Sequence, residues 1–374
     1  MTKQNRAVLP ETAALTVRLD ALRRNLRTLG RLSGPAAVGA VVKADAYGLG
    51  LATVAPALAA AGCETFFVAR LEEGVALRAL APRARIFVLD GALAGAAPAL
   101  IAHRLIPVLN SLAQIDAWAK AARRARLPAA LHVDTGMNRL GLPAAEQSVL
   151  AAQGRRRLAR LDLVLAMSHL ACADDPGAAM NRAQLSRFRA ALALLPPMPA
   201  SLAASGGILL GRDYCFDLVR PGLALYGGNP QVPRRNPFAP VALLTARVLQ
   251  TRRIDKGESV GYAATFRAKG PRMIATVALG YADGIARAGA GRGVAFIRGR
   301  RVPFAGRVSM DLLGLDVTEL DMAGLAVKPG DEVELFGRNI ALEEAAANAG
   351  TNAYEVLTGL SRRVPRRPAG KPAA

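Results

Sequence analysis

The first part of the chain repeats one pattern, in which a short apolar run is followed by a segment whose apolar residues have helical spacing. About eight apolar runs occur between residues 36 and 219, and most are separated by helices of about ten residues. This alternation predicts parallel strands joined by helices, and its length of roughly 220 residues fits a (β/α)8 barrel. In that fold the functional groups lie at the carboxyl ends of the strands.

Polar residues at the predicted strand ends are therefore the candidates for function. They are Lys43, Asp134, His169, Ser205 and Arg220. Lys43 directly follows the buried run 36–42, and two interpretations of it stay open. It is either a solvated charge at a strand end, or an amine whose pKa is lowered by burial so that it can form a Schiff base.

The sequence pattern changes at the Pro-rich segment 229–240, which is typical of a linker. Short strand patterns separated by turns follow it and favour antiparallel β structure. We therefore predict an α/β barrel over residues 12–235 and a mainly antiparallel β domain over residues 236–364, with which a strand near residues 10–19 can pair. The tail 365–374 is rich in Pro, Arg and Ala and is predicted to be disordered.

The net charge of +21 raises the question of a nucleic-acid or membrane partner. The arginines are spread along the chain without interleaved aromatic residues, so a nucleic-acid-binding protein is the disfavoured alternative and no nucleic-acid partner is expected. Three scattered cysteines and three histidines indicate neither a disulfide framework nor a metal site. No apolar run is long enough to span a bilayer, and residues 1–11 lack the apolar core of a signal peptide, so no membrane partner and a cytoplasmic location are expected.

Several motifs resemble, in the same order along the chain, the signatures of the alanine racemases. In the predicted barrel they are residues 42–48 (VKADAYG), 132–141 (HVDTGMNRLG), 168–171 (SHLA), 205–207 (SGG) and 219–227 (VRPGLALYG). In the predicted β domain they are residues 261–266 (GYAATF), 280–284 (GYADG), 306–311 (GRVSMD) and 352–356 (NAYEV). The resemblance extends over nearly the whole chain.

The resemblance implies a pyridoxal-phosphate enzyme that interconverts L- and D-alanine, for cell-wall synthesis or for alanine catabolism. It implies two bases, Lys43 and Tyr262, which act on opposite faces of the substrate. The implied cofactor-binding residues are Lys43, Tyr47, His169, Ser205, Arg220, Gly222, Leu223 and Tyr354. The implied substrate-binding residues are Arg139, Tyr281, Met310 and Asp311.

The arginine and the tyrosine of this set have particular consequences. The family places an arginine, aligned with Arg220, on the pyridine nitrogen where many pyridoxal enzymes place a carboxylate. A guanidinium cannot accept a proton, so the nitrogen should stay unprotonated and side reactions such as transamination should be suppressed. To act near neutral pH, Tyr262 needs a pKa well below its usual value of about 10. Arg139 and His169 are the candidate cations that would lower it. In the family this tyrosine comes from the partner subunit, which implies a homodimer with shared sites.

The chain also departs from the family pattern. Many relatives carry a carbamylated lysine where His132 stands, and we expect an anion such as chloride, or a hydrogen bond, to replace its influence on Arg139. Ala204, Ser309 and Leu49 replace a common Asn, Cys and His, which leaves substrate breadth open. The alternatives are a racemase of broader specificity, acting for example on serine, and a non-catalytic pyridoxal-phosphate-binding protein.

Overall fold

Two structural units make up the computed structural model, which describes residues 11–123 and 125–370. One unit spans Leu19–Ala239, and the other combines Pro240–Ala369 with the chain up to Arg18. The first strand, β1 (Ala13–Arg18), belongs to the second of these units, and the chain enters the first unit directly after it.

The unit Leu19–Ala239 contains eight parallel strands among its described residues. They are β2 (Ala37–Val41), β3 (Thr65–Val68), β4 (Arg85–Val88), β5 (Ile106–Leu109), β6 (Leu127–His132), β7 (Leu161–Met167), β8 (Ala200–Ser201) and β9 (Leu218–Val219). From β2 to β8 each strand pairs with the next one in sequence, and β2 also pairs with β9. A bridge between Ala204 and Arg220, just beyond β8 and β9, closes the ring.

Helices alternate with these strands. They are α1 (Leu19–Ser33), α2 (Lys43–Tyr47), α3 (Leu51–Ala60), α4 (Leu71–Leu80), α5 (Ala97–Ala102), α6 (Leu112–Ala121), α7 (Ala144–Arg157), α8 (Ala179–Ala193) and α9 (Ser205–Leu210), with a short 3-10 turn at Arg212–Tyr214. The prediction of a (β/α)8 barrel is confirmed.

The strands are short and apolar because their side chains fill the barrel. Phe67 and Phe87, on the adjacent strands β3 and β4, stack with ring centroids 4.8 Å apart and are fully buried. Gly39 on β2 makes room for them, since a Cβ there would lie 2.7 Å from the Phe67 ring. Helix α1 covers the outside with Leu22 and Leu29, which are buried at helical spacing.

The second unit is built on antiparallel strands. They are β10 (Ala242–Ile254), β11 (Ser259–Val260), β12 (Phe266–Arg267), β13 (Arg272–Val277), β14 (Val294–Ile297), β15 (Arg300–Ala305), β16 (Leu313–Asp316), β17 (Glu332–Phe336) and β18 (Arg366–Ala369). Its helices are α10 (Thr318–Met322), α11 (Leu342–Asn348) and α12 (Ala353–Thr358), and its 3-10 turns are Tyr262–Ala264, Tyr281–Asp283 and Arg287–Gly289.

The long strand β10 organises this unit. Its first half, residues 242–247, pairs with β1 and β17, and its second half, residues 248–254, pairs with β13. A register shift between Val248 and Gln250 lies where the two halves meet. The sheet order is β13-β16-β15-β14-β17-β10-β1-β18, and the β10–β13 pairing closes a ring of six strands. The antiparallel β domain of the prediction is confirmed.

The predicted disorder of the tail is wrong for residues 366–369. These residues form β18, which lies parallel to β1 with Leu15 opposite Arg366. The Arg367 guanidinium is 2.5 Å from the Glu11 carboxylate, and the Pro365 carbonyl accepts a hydrogen bond from the Leu15 amide. The edge of β1 provides the pairing partner for β18, and amino-acid composition alone does not reveal that such an edge is available. Residues 371–374 of the predicted tail lie outside the described residues.

In the part of the chain that the structure describes, none of the helices has both the length and the apolar character needed to cross a bilayer.

A truncation tests whether β18 contributes to stability. Removal of all residues after Val364 should lower the free energy of unfolding by about 1–3 kcal/mol, because β1 loses its parallel partner. The denaturation midpoint in urea measures this loss. The matched control ends at Gly370 and keeps every described residue. Equal midpoints for the two truncated chains would show that β18 adds nothing.

Candidate active site

Lys43 begins an unusual turn at the carboxyl end of β2. The four residues after it, Ala44 to Tyr47, all have left-handed backbone angles with φ between 54° and 57°. Residues with a Cβ adopt this conformation at a cost of about 1–2 kcal/mol each. A run of this kind has to be held by its surroundings, so it fixes the direction in which Lys43 leaves the strand.

Two carboxylates hold the turn. Glu73 accepts hydrogen bonds from the amides of Ala44 at 2.6 Å and Ala69 at 2.8 Å, and so links the turn to the end of β3. Asp45 accepts from the Leu51 amide at 2.6 Å and thereby fixes the start of α3. The position of Lys43 therefore depends on groups from the neighbouring βα unit.

The electrostatic surroundings of Lys43 favour the neutral amine. Burial lowers its pKa first, and the positive charge of Arg139 lowers it further, while Glu73 and Asp90 act in the opposite direction. The unprotonated amine is the form that attacks a carbonyl group, and a lowered pKa increases the population of that form. This favours the second interpretation of Lys43 over a solvated strand-end charge.

Arg220 follows β9 and is 3% exposed. Its guanidinium donates to the Ser201 hydroxyl at 2.5 Å, to the Ser168 carbonyl at 2.5 Å and to the Leu202 carbonyl at 3.3 Å. Among the described residues it forms no ion pair with a carboxylate. Burial lowers the pKa of Arg220 to about 9, so it stays a cation at neutral pH and can only donate hydrogen bonds.

His169 lies beside this guanidinium, with Nδ1 at 3.4 Å from Nη2 of Arg220. Burial and the charge of Arg220 hold the pKa of His169 well below its usual value, so the imidazole is neutral. Since Arg220 donates, Nδ1 is the acceptor. The expectation that His169 acts as a cation beside Tyr262 is therefore wrong, because a ring next to a buried guanidinium does not take up a proton.

A second group of donors lies where β9 leads into residues 220–227. The Ser205 hydroxyl, at the start of α9, accepts hydrogen bonds from the amides of Gly222 and Ala224, each at 3.1 Å. The Tyr47 hydroxyl contacts Gly222 so closely that a Cβ there would lie 2.1 Å from it. The predicted residues Tyr47, Ser205 and Gly222 thus meet in one cluster of hydroxyl and amide groups, which suits a phosphate, and Leu223 follows Gly222 in the chain.

The loop that carries Arg139 starts after His132 and returns to it. The His132 carbonyl accepts from the Leu142 amide at 2.8 Å, and the Asp134 carboxylate accepts from the amides of residues 136, 137 and 138. Because Asp134 is occupied by its own loop, the exposed Arg139 has no carboxylate partner among the described residues. His132 itself is bonded through Nδ1 to the side chain of Asn110.

The remaining predicted residues lie in the other unit. Tyr262 stands between β11 and β12 and is 69% exposed. Tyr281 and Met310 occupy adjacent loops, joined by hydrogen bonds from the amides of Tyr281 and Ala282 to the carbonyls of Ser309 and Met310. Gly280 allows this approach, since a Cβ there would lie 2.3 Å from the Met310 carbonyl oxygen.

Asp311 and Tyr354 complete the set. Asp311 accepts a hydrogen bond from Arg363 at 2.8 Å, and the same guanidinium lies 3.4 Å from Asp283. Tyr354 is the second residue of α12, a helix that Asn352 caps by accepting from the Glu355 amide. Tyr354 is half-exposed, as expected of a side chain that can reach a ligand.

Comparison with known proteins identifies the family of this chain. The family model described as "Alanine racemase, N-terminal domain" matches residues 17–230, and that described as "Alanine racemase, C-terminal domain" matches residues 241–368. The chain belongs to the alanine racemase family. A curated alanine racemase of Rhodospirillum rubrum is 50% identical over 363 residues, which cover 96% of each chain. One of Rhizobium meliloti is 46% identical over 375 residues, with 97% of this chain and 98% of the relative covered.

Solved alanine racemases have the same fold. The crystal structure from Bartonella henselae "with covalently bound pyridoxal phosphate" aligns with a TM-score of 0.92 and 39% identity, over 96% of this chain and 100% of that chain. The biosynthetic enzyme from Pseudomonas aeruginosa aligns with a TM-score of 0.90 and 36% identity, over the same shares. The family suggested by the sequence motifs is confirmed.

Sequence reasoning missed several residues that position this site. Asn110 follows β5 and obeys the same strand-end rule as the residues that were found, so the rule could have identified it. Ser201 and Ser168, which bind Arg220, also lie at strand ends. Glu73 carries no such signal, because it lies in α4 and reaches the Lys43 turn only after folding.

The neutral histidines predict an acid-sensitive fold. Burial lowers the pKa of His132 to about 4, while the unfolded chain binds this proton near 6.5. The unfolded state therefore takes up protons first, and the free energy of unfolding should fall as the pH drops from 7 to 4. For His132 the loss should reach at most about 3 kcal/mol.

Urea denaturation at pH 7.5, 6, 5 and 4.5 measures this loss. The His132→Gln variant should lose less stability over this range than the wild type, with His103→Gln as the matched control. Parallel curves for the wild type and His132→Gln would contradict a neutral, buried His132.

Proposed function

We propose that this protein interconverts L- and D-alanine with pyridoxal phosphate, in active sites that two subunits share. The observation that carries the proposal is the convergence of Lys43, His169 and Arg220 at the carboxyl ends of the barrel strands, in a chain of the alanine racemase family. The three free cysteines fit a reducing compartment, so we place the reaction in the cytoplasm.

The barrel residues fit the chemistry of pyridoxal phosphate. Lys43 offers an amine of lowered basicity. The Ser205 oxygen accepts from the amides of Gly222 and Ala224, so the hydroxyl hydrogen would be the group that donates to a phosphate. Tyr47 fills the space at Gly222 that a side chain would otherwise take. When bound, the cofactor supplies an electron-withdrawing ring that makes the α-proton of an amino acid acidic.

Arg220 would hold the ring nitrogen as a hydrogen-bond donor. Its guanidinium is fixed by Ser201 and by two backbone carbonyls, so it cannot turn away, and a guanidinium cannot accept a proton from the ring nitrogen. Limited electron withdrawal favours return of a proton to the α-carbon over competing reactions. His169, kept neutral by the same guanidinium, would contact the ring without adding a second charge.

Racemisation needs a proton acceptor and a proton donor on opposite faces of the α-carbon. Lys43 would act on one face. Tyr262 would act on the other, and we assign it to the partner subunit because it is an exposed residue of a β ribbon. The entrance to the site would be lined by Tyr281, Met310 and Asp311. Tyr354 would contact the cofactor phosphate, and Arg139 would contact the substrate.

Lys43→Ala should abolish covalent cofactor binding, because the amine is lost. The purified variant should lack the visible absorbance of the holoenzyme, and borohydride reduction followed by peptide mass spectrometry should find no labelled lysine. Lys256→Ala, an exposed lysine of the β unit, is the control and should retain both absorbance and activity. A labelled lysine at any position other than 43 in the wild type would overturn the assignment.

A mixture of two inactive variants tests the shared site. Lys43→Ala and Tyr262→Phe should each be inactive, but a mixed dimer contains one site with both wild-type residues. Co-expression should restore about a quarter of wild-type racemase activity, since half of the dimers are mixed and one of their two sites is intact. Recovery of no activity from verified mixed dimers would place both residues in one subunit.

A further inference from the structure

Helix α8 carries a buried amide that bonds the segments following β6 and β7. Gln184 has no solvent exposure. Its Oε1 accepts from the Ala171 amide at 2.8 Å, and its Nε2 donates to the His169 carbonyl at 2.9 Å and to the Thr135 hydroxyl at 3.2 Å. Removal of such an amide leaves its buried partners unsatisfied, which costs more than the bonds themselves contribute.

The orientation of this amide is determined by its backbone partners. The Ala171 N–H only donates and the His169 carbonyl only accepts, so the side chain cannot be flipped without losing both bonds. Gln184 therefore bonds the backbone on both sides of Leu170. A helix outside the strands thus fixes the segment 168–171, which follows β7 and carries the His169 ring.

The same segment supplies two groups to Arg220. The Ser168 carbonyl accepts from Nη2 of the guanidinium at 2.5 Å, and Nδ1 of His169 lies 3.4 Å from the same nitrogen. The Ser168 hydroxyl lies 2.8 Å from the Thr135 hydroxyl, which Gln184 also bonds. Ser168, Thr135 and Gln184 are all buried, so water does not compete for these bonds. An amide from α8 and a guanidinium from the end of β9 thus hold one segment together.

We propose that Gln184 is a positioning residue for the racemase reaction. It holds the segment 168–171 where the Ser168 carbonyl and the His169 ring both reach Arg220. Gln184 acts through these residues, because both N–H groups of its own amide are already bonded. Loss of the amide should free the segment to move, and it should thereby weaken the contact between His169 and Arg220.

The kinetic consequence rests on the proposed function, whereas the structural consequence does not. If His169 and Arg220 hold the cofactor ring, displacement of the segment should lower kcat more than it raises the KM for alanine. The contact between His169 and Arg220, by contrast, can be observed without any substrate. A chain without racemase activity and a Gln184 without influence on His169 therefore give different results.

Nitrogen-15 spectroscopy measures this contact. The chain contains three histidines, so selective 15N-histidine labelling gives few resonances, and His169→Gln identifies those of residue 169. In the wild type Nδ1 should show the shift of a nitrogen that accepts a hydrogen bond. Gln184→Met, which removes all three bonds at similar side-chain length, should move this resonance toward that of an unbonded nitrogen. Gln184→Glu, which keeps an acceptor for Ala171 but removes both donors, should also move it.

Asn25→Leu is the matched control. Asn25 is another buried amide of the same unit with three hydrogen bonds, since it donates to the carbonyls of Leu225 and Ala239 and accepts from the Ala239 amide. Its loss should lower the urea midpoint as the loss of Gln184 does. The His169 resonance should nevertheless stay at the wild-type position, because Asn25 does not bond the segment 168–171.

Kinetics of the holoenzyme provide the second measurement. Gln184→Met should lower kcat about tenfold, the size of effect expected when a buried hydrogen-bonding group is lost, with a smaller change in the KM for alanine. Thr135→Val removes only one of the three bonds and keeps those to His169 and Ala171, so its effect on kcat should be smaller. Asn25→Leu should keep kcat close to the wild-type value.

Three results would overturn the proposal. The first is a His169 Nδ1 resonance that neither Gln184 variant moves. The second is an equal movement of this resonance in Asn25→Leu, which would show that the loss of any buried amide disturbs the site. The third is a kcat that is unchanged in folded Gln184→Met, or that falls further in Thr135→Val.

Discussion

The site depends on a guanidinium that is buried with no carboxylate partner in the described part of the chain. Transfer of a charge from water into a protein is costly unless hydrogen bonds replace its hydration, and around Arg220 the replacements are a serine hydroxyl and two backbone carbonyls at the ends of β7 and β8. These partners exist because a closed parallel barrel collects the carboxyl ends of its strands on one side. The position of the charge is therefore a property of the barrel, and it is rigid for the same reason.

The other groups adjust to this charge. His169 and His132 stay neutral beside it. Lys43, on its left-handed turn, becomes less basic for a separate reason, which is burial and the charge of Arg139. A neutral imidazole can accept a hydrogen bond, and a neutral amine can act as a nucleophile or a base. Burial and the nearby arginine charges thus favour the covalent chemistry assigned to Lys43 and keep both imidazoles neutral. An added carboxylate would reverse these effects, and the described part of the barrel presents none to Arg220.

Sequence reasoning predicted the barrel because eight apolar runs at βα spacing have few other solutions, and it found Lys43 and Arg220 because strand ends in a barrel converge. It failed where a partner is distant in sequence and ordinary in type. Glu73 supports the Lys43 turn from α4 and does not differ from a surface carboxylate when read alone. Asn110, which bonds His132, follows β5, and the strand-end rule could have identified it. The strand β18 was missed because Pro and Arg do not indicate a strand unless an edge is available. The prediction that His169 is a cation was wrong because the guanidinium of Arg220 comes to lie beside it only after folding.

The central claim is that Arg220 offers only donors to the cofactor, and the protonation of the pyridine nitrogen tests it most directly. The holoenzyme prepared with 15N-labelled pyridoxal phosphate should show a nitrogen resonance that accepts a hydrogen bond and carries no proton between pH 6 and 8. A protonated pyridine nitrogen in the wild-type holoenzyme over this range would contradict the account.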